Sequence, residues 1–317
     1  MHTPEENKTI VINGEKVPPG KNKLVRIEIA RLPTGTLIDI PIHVFNAKKA
    51  GPTVLLQAGL HGDEINGVET LRRMLQQDRF KIKKGAVIVV PILNIFGFIH
   101  FSRDVPDGKD VNRSFPGRKT GSLASRIAFN YTSMVMPQVD LAIDLHTGGG
   151  QRSNFPQVRY TADDENSKAL AAAFGAPIYF ASRLIAGSFR KTMSKLNKPT
   201  IVYEAGESMR FDDQAIERGI AGIQNVLSKL GMLPKAKKMP KSNHLESTKW
   251  VRSSRAGMFI PEIHNGSKIT KGQVLGMITD VYSKKTRQVK APFDGVVFCI
   301  NHQAVVNQGD ALFHVGR

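Results

Sequence analysis

The chain contains a single cysteine, Cys299, among its 317 residues. One thiol can form neither an internal disulfide nor a metal site built from several thiolates. Any metal in this protein must therefore be held by histidine and carboxylate ligands.

Long apolar runs are absent as well. No run approaches the roughly 20 residues needed to cross a bilayer, and the first residues, MHTPEENKTIVINGEK, lack the basic and apolar blocks of a signal peptide. With 41% hydrophobic and 23% charged residues, the chain can bury a sizeable core. These features predict a cytoplasmic protein that does not contact a membrane.

Acidic residues are few compared with basic ones. The 27 Asp and Glu against 45 Lys and Arg give a net charge of +18, which attracts anions. Aromatic residues make up only 7%, the basic residues are dispersed, and no zinc-finger or RNA-binding signature accompanies them. We therefore expect a small acidic substrate and no specific nucleic-acid partner, while homo-oligomerisation is left open.

Two patterns follow one another along the first 232 residues. Residues 8–46 alternate apolar and polar positions between turn signals, which predicts antiparallel strands at a sheet edge within 1–46. From Gly51 onward, apolar runs alternate with helical patterns; the runs are TVLLQAGL, AVIVVPILN, DLAIDLH and TIVYEAG. Such alternation predicts an α/β fold over 1–232, with a mixed, largely parallel sheet flanked by helices.

The last part of the chain has a different character. Residues 233–249 contain two prolines, several lysines and no apolar periodicity, which predicts a linker. Beyond it, GSKITKGQVLGMI and QAVVNQGDALFHV repeat one pattern and, with APFDGVV, resemble the sandwich of lipoyl and biotinyl carrier domains. We expect a small all-β domain over 250–317 with a structural role.

A histidine and a glutamate follow the first apolar run as H-x-x-E, at His61 and Glu64. If a helix starts after Leu60, both side chains project from one face and can converge on a metal ion. The alternative is that His61 only forms a hydrogen bond within a turn and that Glu64 only occupies a first helical turn, where negative charge is favourable.

A second histidine, His146, stands at the carboxyl end of DLAIDLH. Ligands in parallel α/β sheets collect outside the carboxyl ends of strands, where His61 is also expected. Asp144, two residues earlier, can orient an imidazole. Two histidines, one glutamate and an open position form the ligand set of a hydrolytic zinc site.

Glu204 stands at the carboxyl end of TIVYEAGE, where a carboxylate can act as a general base. The alternative is a surface glutamate at a strand end, and Glu207 is the second choice for the base. In the loop after AVIVVPILN, Arg103, Asn112 and Arg113 bring donors that suit a carboxylate or a carbonyl.

The set H-x-x-E, DLH, NRxFPG and strand-end ExG resembles the succinylglutamate desuccinylase and aspartoacylase family, itself related to zinc carboxypeptidases. The motifs run from about Gly51 to Gly206, and the C-terminal β segment is also similar to the one that this family carries. The resemblance implies one zinc ion per chain, with His61, Glu64 and His146 as its ligands.

The same resemblance implies roles for the remaining residues. Glu204 matches the general base that works with zinc-bound water, and Asn112 and Arg113 match the pair that holds the substrate carboxylate. Arg103 matches the arginine that polarises the carbonyl, although the stretch between Arg103 and Asn112 is longer than in aspartoacylase.

The activity implied by the resemblance is zinc-dependent hydrolysis of an amide, with removal of the acyl group from an N-acyl amino acid. Two alternatives stay open. One is a carboxypeptidase-like enzyme that removes C-terminal residues such as glutamate, which predicts an open groove instead of a closed pocket. The other is a metal- or anion-binding protein without turnover.

Overall fold

A computed structural model of the chain describes residues 6–234, 242–282 and 285–317. Up to residue 90 its elements are β1 (Ile10–Ile12), β2 (Glu15–Val17), β3 (Asn22–Arg31), β4 (Leu37–Asn46), β5 (Lys49–Gln57), α1 (Ile65–Gln76) and β6 (Lys84–Val90). They continue with α2 (Ile95–Ile99), α3 (Leu123–Met134), β7 (Leu141–Gly148), β8 (Arg152–Thr161), α4 (Glu165–Phe174), β9 (Ile178–Ser182), α5 (Phe189–Lys195), β10 (Thr200–Glu207) and α6 (Asp213–Lys229). Short 3₁₀ helices span Val111–Arg113 and Met136–Gln138. The C-terminal strands are β11 (Asn243–Leu245), β12 (Thr248–Arg252), β13 (Gly257–Pro261), β14 (Lys268–Ile269), β15 (Val274–Thr279), β16 (Thr286–Lys290), β17 (Gly295–Asn301), β18 (Val305–Val306) and β19 (Ala311–Gly316).

Within the described ranges, thirteen strands form one mixed sheet. Its centre is parallel in the order β6-β5-β7-β10, and β4 and β3 continue it antiparallel at one edge. On the other side β8 runs antiparallel to β10. The predicted fold class is confirmed, since buried parallel strands carry the continuous apolar runs seen in the sequence.

Helices cover both faces of the central strands. On one face α3 and α5 pack their apolar residues onto the sheet, among them Ile127 and Met193. On the other face α1, α4 and α6 do the same. The apolar stripe of α6 is buried at Ile216 and Ile223, and Gly231, with φ of 68°, follows the helix end.

The C-terminal strands belong to two sheets. β13, β15, β16 and β18 form a separate antiparallel sheet, whereas β17 hydrogen-bonds to β8 and joins β19 and β12 to the main sheet. An apolar core that includes Leu275 and Phe313 lies between the two sheets.

The segment 233–249, predicted as a linker, contains β11, which runs parallel to β9, and the start of β12. Its residues 235–241 lie outside the described residues. The boundary between a catalytic and a β-domain stays a prediction. None of the helices in the described residues is both long and apolar enough for a membrane span.

Candidate active site

His61, Glu64 and His146 come together in a buried cluster. One potential ligand atom from each lies within 4.8 Å of the others. The Nδ1 atoms of His61 and His146 are each 2.8 Å from one oxygen of Glu64. All three side chains are almost completely buried. The two motifs that are distant in sequence thus meet at one point.

The turn between β5 and α1 positions His61 and Glu64. The Glu64 amide donates to the His61 carbonyl oxygen at 3.3 Å, and α1 begins only at Ile65. The two side chains therefore converge through a turn and not on one helical face. A Cβ at Gly62 would lie 1.8 Å from the carbonyl carbon of Gly97 in α2, so the close packing of this turn requires glycine.

The second nitrogen of each imidazole faces an aspartate. His146 Nε2 is 2.9 Å from Asp144 Oδ2, the partner that the sequence predicted. His61 Nε2 is 3.3 Å from Asp110 Oδ1. The sequence reasoning missed Asp110, although an acidic residue two positions before Asn112 was the available signal. Since a carboxylate lies at Nε2 of each ring, Nδ1 is the atom of each ring that could bind a metal.

Electrostatics keep Glu64 ionised, as a zinc-binding carboxylate must be. Burial favours the neutral form of Glu64, but the imidazoles of His61 and His146 hold the pKa of this carboxyl well below its ordinary value. Burial likewise opposes ionisation of Asp110, yet the nearby imidazole of His61 and the guanidinium of Arg103 hold the pKa of this carboxyl well below its usual range. The two nitrogens and the ionised carboxylate are the donor chemistry that fits a zinc ion.

Glu204 lies beside this cluster because of strand register. β10 pairs with β7 in parallel, with Glu204 opposite His146. Asn154 Nδ2 donates to Glu204 Oε2 at 2.8 Å, and Arg159 Nη1 is 3.2 Å from Oε1. Both partners lie on β8, and no local pattern in the sequence marks them. Glu207 lines a neighbouring cavity instead.

Arg103 contacts the metal-ligand cluster directly. Its Nη1 is 3.6 Å from Glu64 Oε1, while Nε and Nη2 donate to Asp110 Oδ2 at 3.1 and 2.9 Å. Asn112 Oδ1 accepts the backbone N–H of Phe189 at 2.9 Å, so its amide hydrogens stay free to donate.

One cavity of about 440 Å³ unites all seven residues that the sequence singled out. They are His61, Glu64, Arg103, Asn112, Arg113, His146 and Glu204. The arginines Arg152, Arg159 and Arg190 also line it. Trp250 and Cys299 complete its wall, so the C-terminal strands shape the cavity, which the sequence left undecided.

Comparison with known proteins shows which proteins this chain is similar to. Residues 50–230 match the model of the succinylglutamate desuccinylase/aspartoacylase catalytic domain. The chain is 30% identical over 288 residues to the N-alpha-acetyl-L-2,4-diaminobutyric acid deacetylase of Halomonas elongata, covering 86% of this chain and 84% of that protein.

Solved structures show the same fold over nearly the whole chain. A succinylglutamate desuccinylase/aspartoacylase from Rhodobacter sphaeroides has a TM-score of 0.83 at 26% identity, covering 94% of this chain and 95% of its own. The product-bound ectoine utilization protein EutE (DoeB) from Ruegeria pomeroyi has a TM-score of 0.83 at 25% identity, covering 95% and 97%.

Proposed function

Because the chain belongs to the succinylglutamate desuccinylase and aspartoacylase family, we propose that it is a zinc-dependent amide hydrolase that removes the acyl group from an N-acyl amino acid. The observation that carries this proposal is the convergence of His61, Glu64 and His146 in one cavity with Glu204. Three potential ligands with a separate carboxylate beside them are what metal-assisted hydrolysis requires. A metal-binding protein without turnover would not need Glu204 at this place.

The proposed zinc ion is held by His61, Glu64 and His146. Such an ion supplies Lewis-acid chemistry and lowers the pKa of water. Glu204 takes the proton from the attacking water and passes it to the leaving amine. Asn154 and Arg159 orient the Glu204 carboxylate for this task through the two contacts at 2.8 and 3.2 Å.

The remaining residues bind the substrate. Arg103 stabilises the negative charge that develops on the amide oxygen, since its guanidinium already lies against the ligand cluster. Asn112 and Arg113 hold the α-carboxylate, using the free amide hydrogens of Asn112 and the half-exposed guanidinium of Arg113.

The lining of the cavity favours a small anionic substrate. Five arginines line it, so an N-acyl amino acid with a further carboxylate gains more than a cationic one. The curated relative deacetylates N-alpha-acetyl-L-2,4-diaminobutyric acid by its name, which supports an acetyl group as one acyl group to test. Trp250 and Cys299 wall the cavity on one side, so the C-terminal strands limit the space for a peptide substrate there.

The experiment that tests this proposal measures amine release by zinc-loaded protein. The panel contains N-acetyl-L-2,4-diaminobutyrate, N-acetylaspartate, N-succinylglutamate and short peptides ending in glutamate. We expect turnover of acyl amino acids only. Turnover confined to peptides would contradict the proposal and establish the carboxypeptidase alternative.

Glu204→Gln tests the general base, and Glu207→Gln on the same strand is its matched control. We expect kcat to fall by about a thousandfold in Glu204→Gln, within the range for loss of a positioned base, with zinc content unchanged. Glu207→Gln should retain wild-type turnover because Glu207 lines the neighbouring cavity. Full activity in Glu204→Gln would remove this residue from the mechanism.

A further inference from the structure

A chain of buried hydrogen bonds runs behind His146, away from the cavity. Asp144 accepts from His146 Nε2 through Oδ2 at 2.9 Å, and its Oδ1 accepts from Gln57 Nε2 at 2.9 Å. Gln57 Oε1 in turn accepts the hydroxyl proton of Tyr131 at 2.8 Å. Gln57, Asp144 and Tyr131 have at most 1% of their surface exposed. No water competes for these bonds at such burial, so each link depends on the next.

The direction of these bonds is determined by the Asp144 carboxylate. A carboxylate only accepts, so the Gln57 amide nitrogen must face it, and the amide oxygen is left to accept the Tyr131 hydroxyl proton. Asp144 as a carboxylate offers only acceptors, so its second oxygen requires the N–H at Nε2 of His146. This leaves Nδ1 of His146, 2.8 Å from Glu64 Oε2, as the nitrogen whose lone pair a metal ion would take, after displacing the proton that Nδ1 donates to Glu64 in the metal-free protein.

The fold holds each member of the chain rigidly. Gln57 ends β5 and lies directly opposite Asp144 of β7 in the parallel register. Tyr131 stands on α3, where its ring packs edge-on against Phe115 and Phe189, with ring centroids 6.5 and 6.2 Å away. Three separate elements thus converge on one metal ligand.

We propose that Tyr131 and Gln57 are positioning residues that hold Asp144, and through it the imidazole of His146, in the orientation that binds the metal. This inference rests on the proposed zinc site. Neither residue is among those that line the cavity, so neither touches substrate. Outer partners of metal ligands commonly change metal affinity by about 10- to 100-fold when they are removed.

The test compares Tyr131→Phe with Tyr203→Phe. Tyr203 is equally buried, and its hydroxyl donates to the Ala215 carbonyl oxygen at 2.8 Å, in the core on the other side of the sheet. The zinc dissociation constant is measured by competition with a chelating indicator, and stability by thermal unfolding of the metal-free proteins. We expect both variants to lose similar stability, but only Tyr131→Phe to bind zinc about tenfold more weakly.

A second variant, Gln57→Met, removes the donor to Asp144 and provides the same test if Tyr131→Phe does not fold. In the Gln57→Met background, Tyr131→Phe should cause no further loss of zinc affinity, because Tyr131 acts only through Gln57. Wild-type zinc affinity in Gln57→Met, or in Tyr131→Phe, overturns the inference and leaves the proposed function standing. A wild-type protein that does not bind zinc overturns the proposed function itself.

Discussion

Five arginines line the cavity, but their surroundings give them different tasks. Arg190 is largely buried and donates to the carbonyl oxygens of Tyr160, Ser182 and Arg183 at 3.2, 3.3 and 2.8 Å. Burial, together with the charge of Arg159, lowers the pKa of Arg190 to about 10, so it still carries its charge at neutral pH. It therefore braces the cavity wall and adds positive potential to the cavity.

The thiol of Cys299 is buried in the cavity wall. Burial raises the pKa of its thiol to about 12, so at pH 8 almost none of it is the reactive thiolate. We expect the native protein to react with a thiol reagent roughly a thousandfold more slowly than the same protein in guanidinium chloride. The measurement is the rate of colour release from Ellman's reagent. Fast labelling of the native protein would show that the wall around Cys299 opens.

At the scale of elements, α1 and α6 are joined by a cluster of charged side chains. Glu69 accepts from Arg72 Nε at 2.6 Å and from Arg73 Nε at 2.8 Å. Arg73 also reaches Asp213 Oδ1 of α6 at 2.6 Å. This cluster fixes the helix that begins directly after the turn carrying His61 and Glu64, so it connects the stability of α1 to the geometry of the site.

The stability of this cluster depends on pH in a defined direction. Hydrogen bonds from Arg72 and then Arg73 lower the pKa of Glu69 to about 2. A lowered pKa in the folded state stabilises the protein above the unfolded value of about 4.3, and this contribution disappears as the pH falls toward 2.

Glu69→Gln should therefore be less stable than wild type by about 1 kcal/mol at neutral pH, a value reduced by solvent screening at a surface cluster. The difference should shrink between about pH 4.5 and pH 2, as measured by urea unfolding. Glu165→Gln, which removes an exposed pair with Lys168, is the control and should change stability little. A difference in unfolding free energy between wild type and Glu69→Gln that does not change with pH would contradict this account.

At the scale of the whole molecule, the C-terminal strands complete the cavity. Trp250 on β12 stacks on His314 of β19, with ring centroids 4.2 Å apart and planes 12° from parallel. The Arg152 guanidinium lies 5.8 Å above the Trp250 ring. Since β17 joins the main sheet through β8, this wall is held by continuous strand pairing.

Trp250 is the only tryptophan in the chain, so its fluorescence reports directly on the cavity. We expect saturable change in emission when the substrate is added to the Glu204→Gln variant, which does not consume it. In the active enzyme, Trp250→Ala should raise KM about tenfold, which corresponds to about 1.4 kcal/mol of lost contact. Trp250→Phe, without the fluorophore, is the optical control. Constant emission at saturating substrate would place the substrate away from this wall.

The residue sequence by itself determined the fold class and seven of the residues that line the cavity. Buried parallel strands are apolar on both faces and end in polar turns, so TVLLQAGL, DLAIDLH and TIVYEAG reveal both the strands and the side chains at their ends. Local spacing was sufficient to identify His61, Glu64, His146 and Glu204 as site residues, because each stands at or shortly after the end of such a run.

Only the tertiary structure decided which residues hold these site residues in place. Asp110 behind His61, Asn154 and Arg159 at Glu204, and Gln57 and Tyr131 behind Asp144 are brought together by strand order and register. Trp250 enters the cavity through strand pairing between segments that are distant along the chain. The physical reason is that a motif records neighbours along the chain, whereas hydrogen bonds and cavity walls depend on neighbours in space.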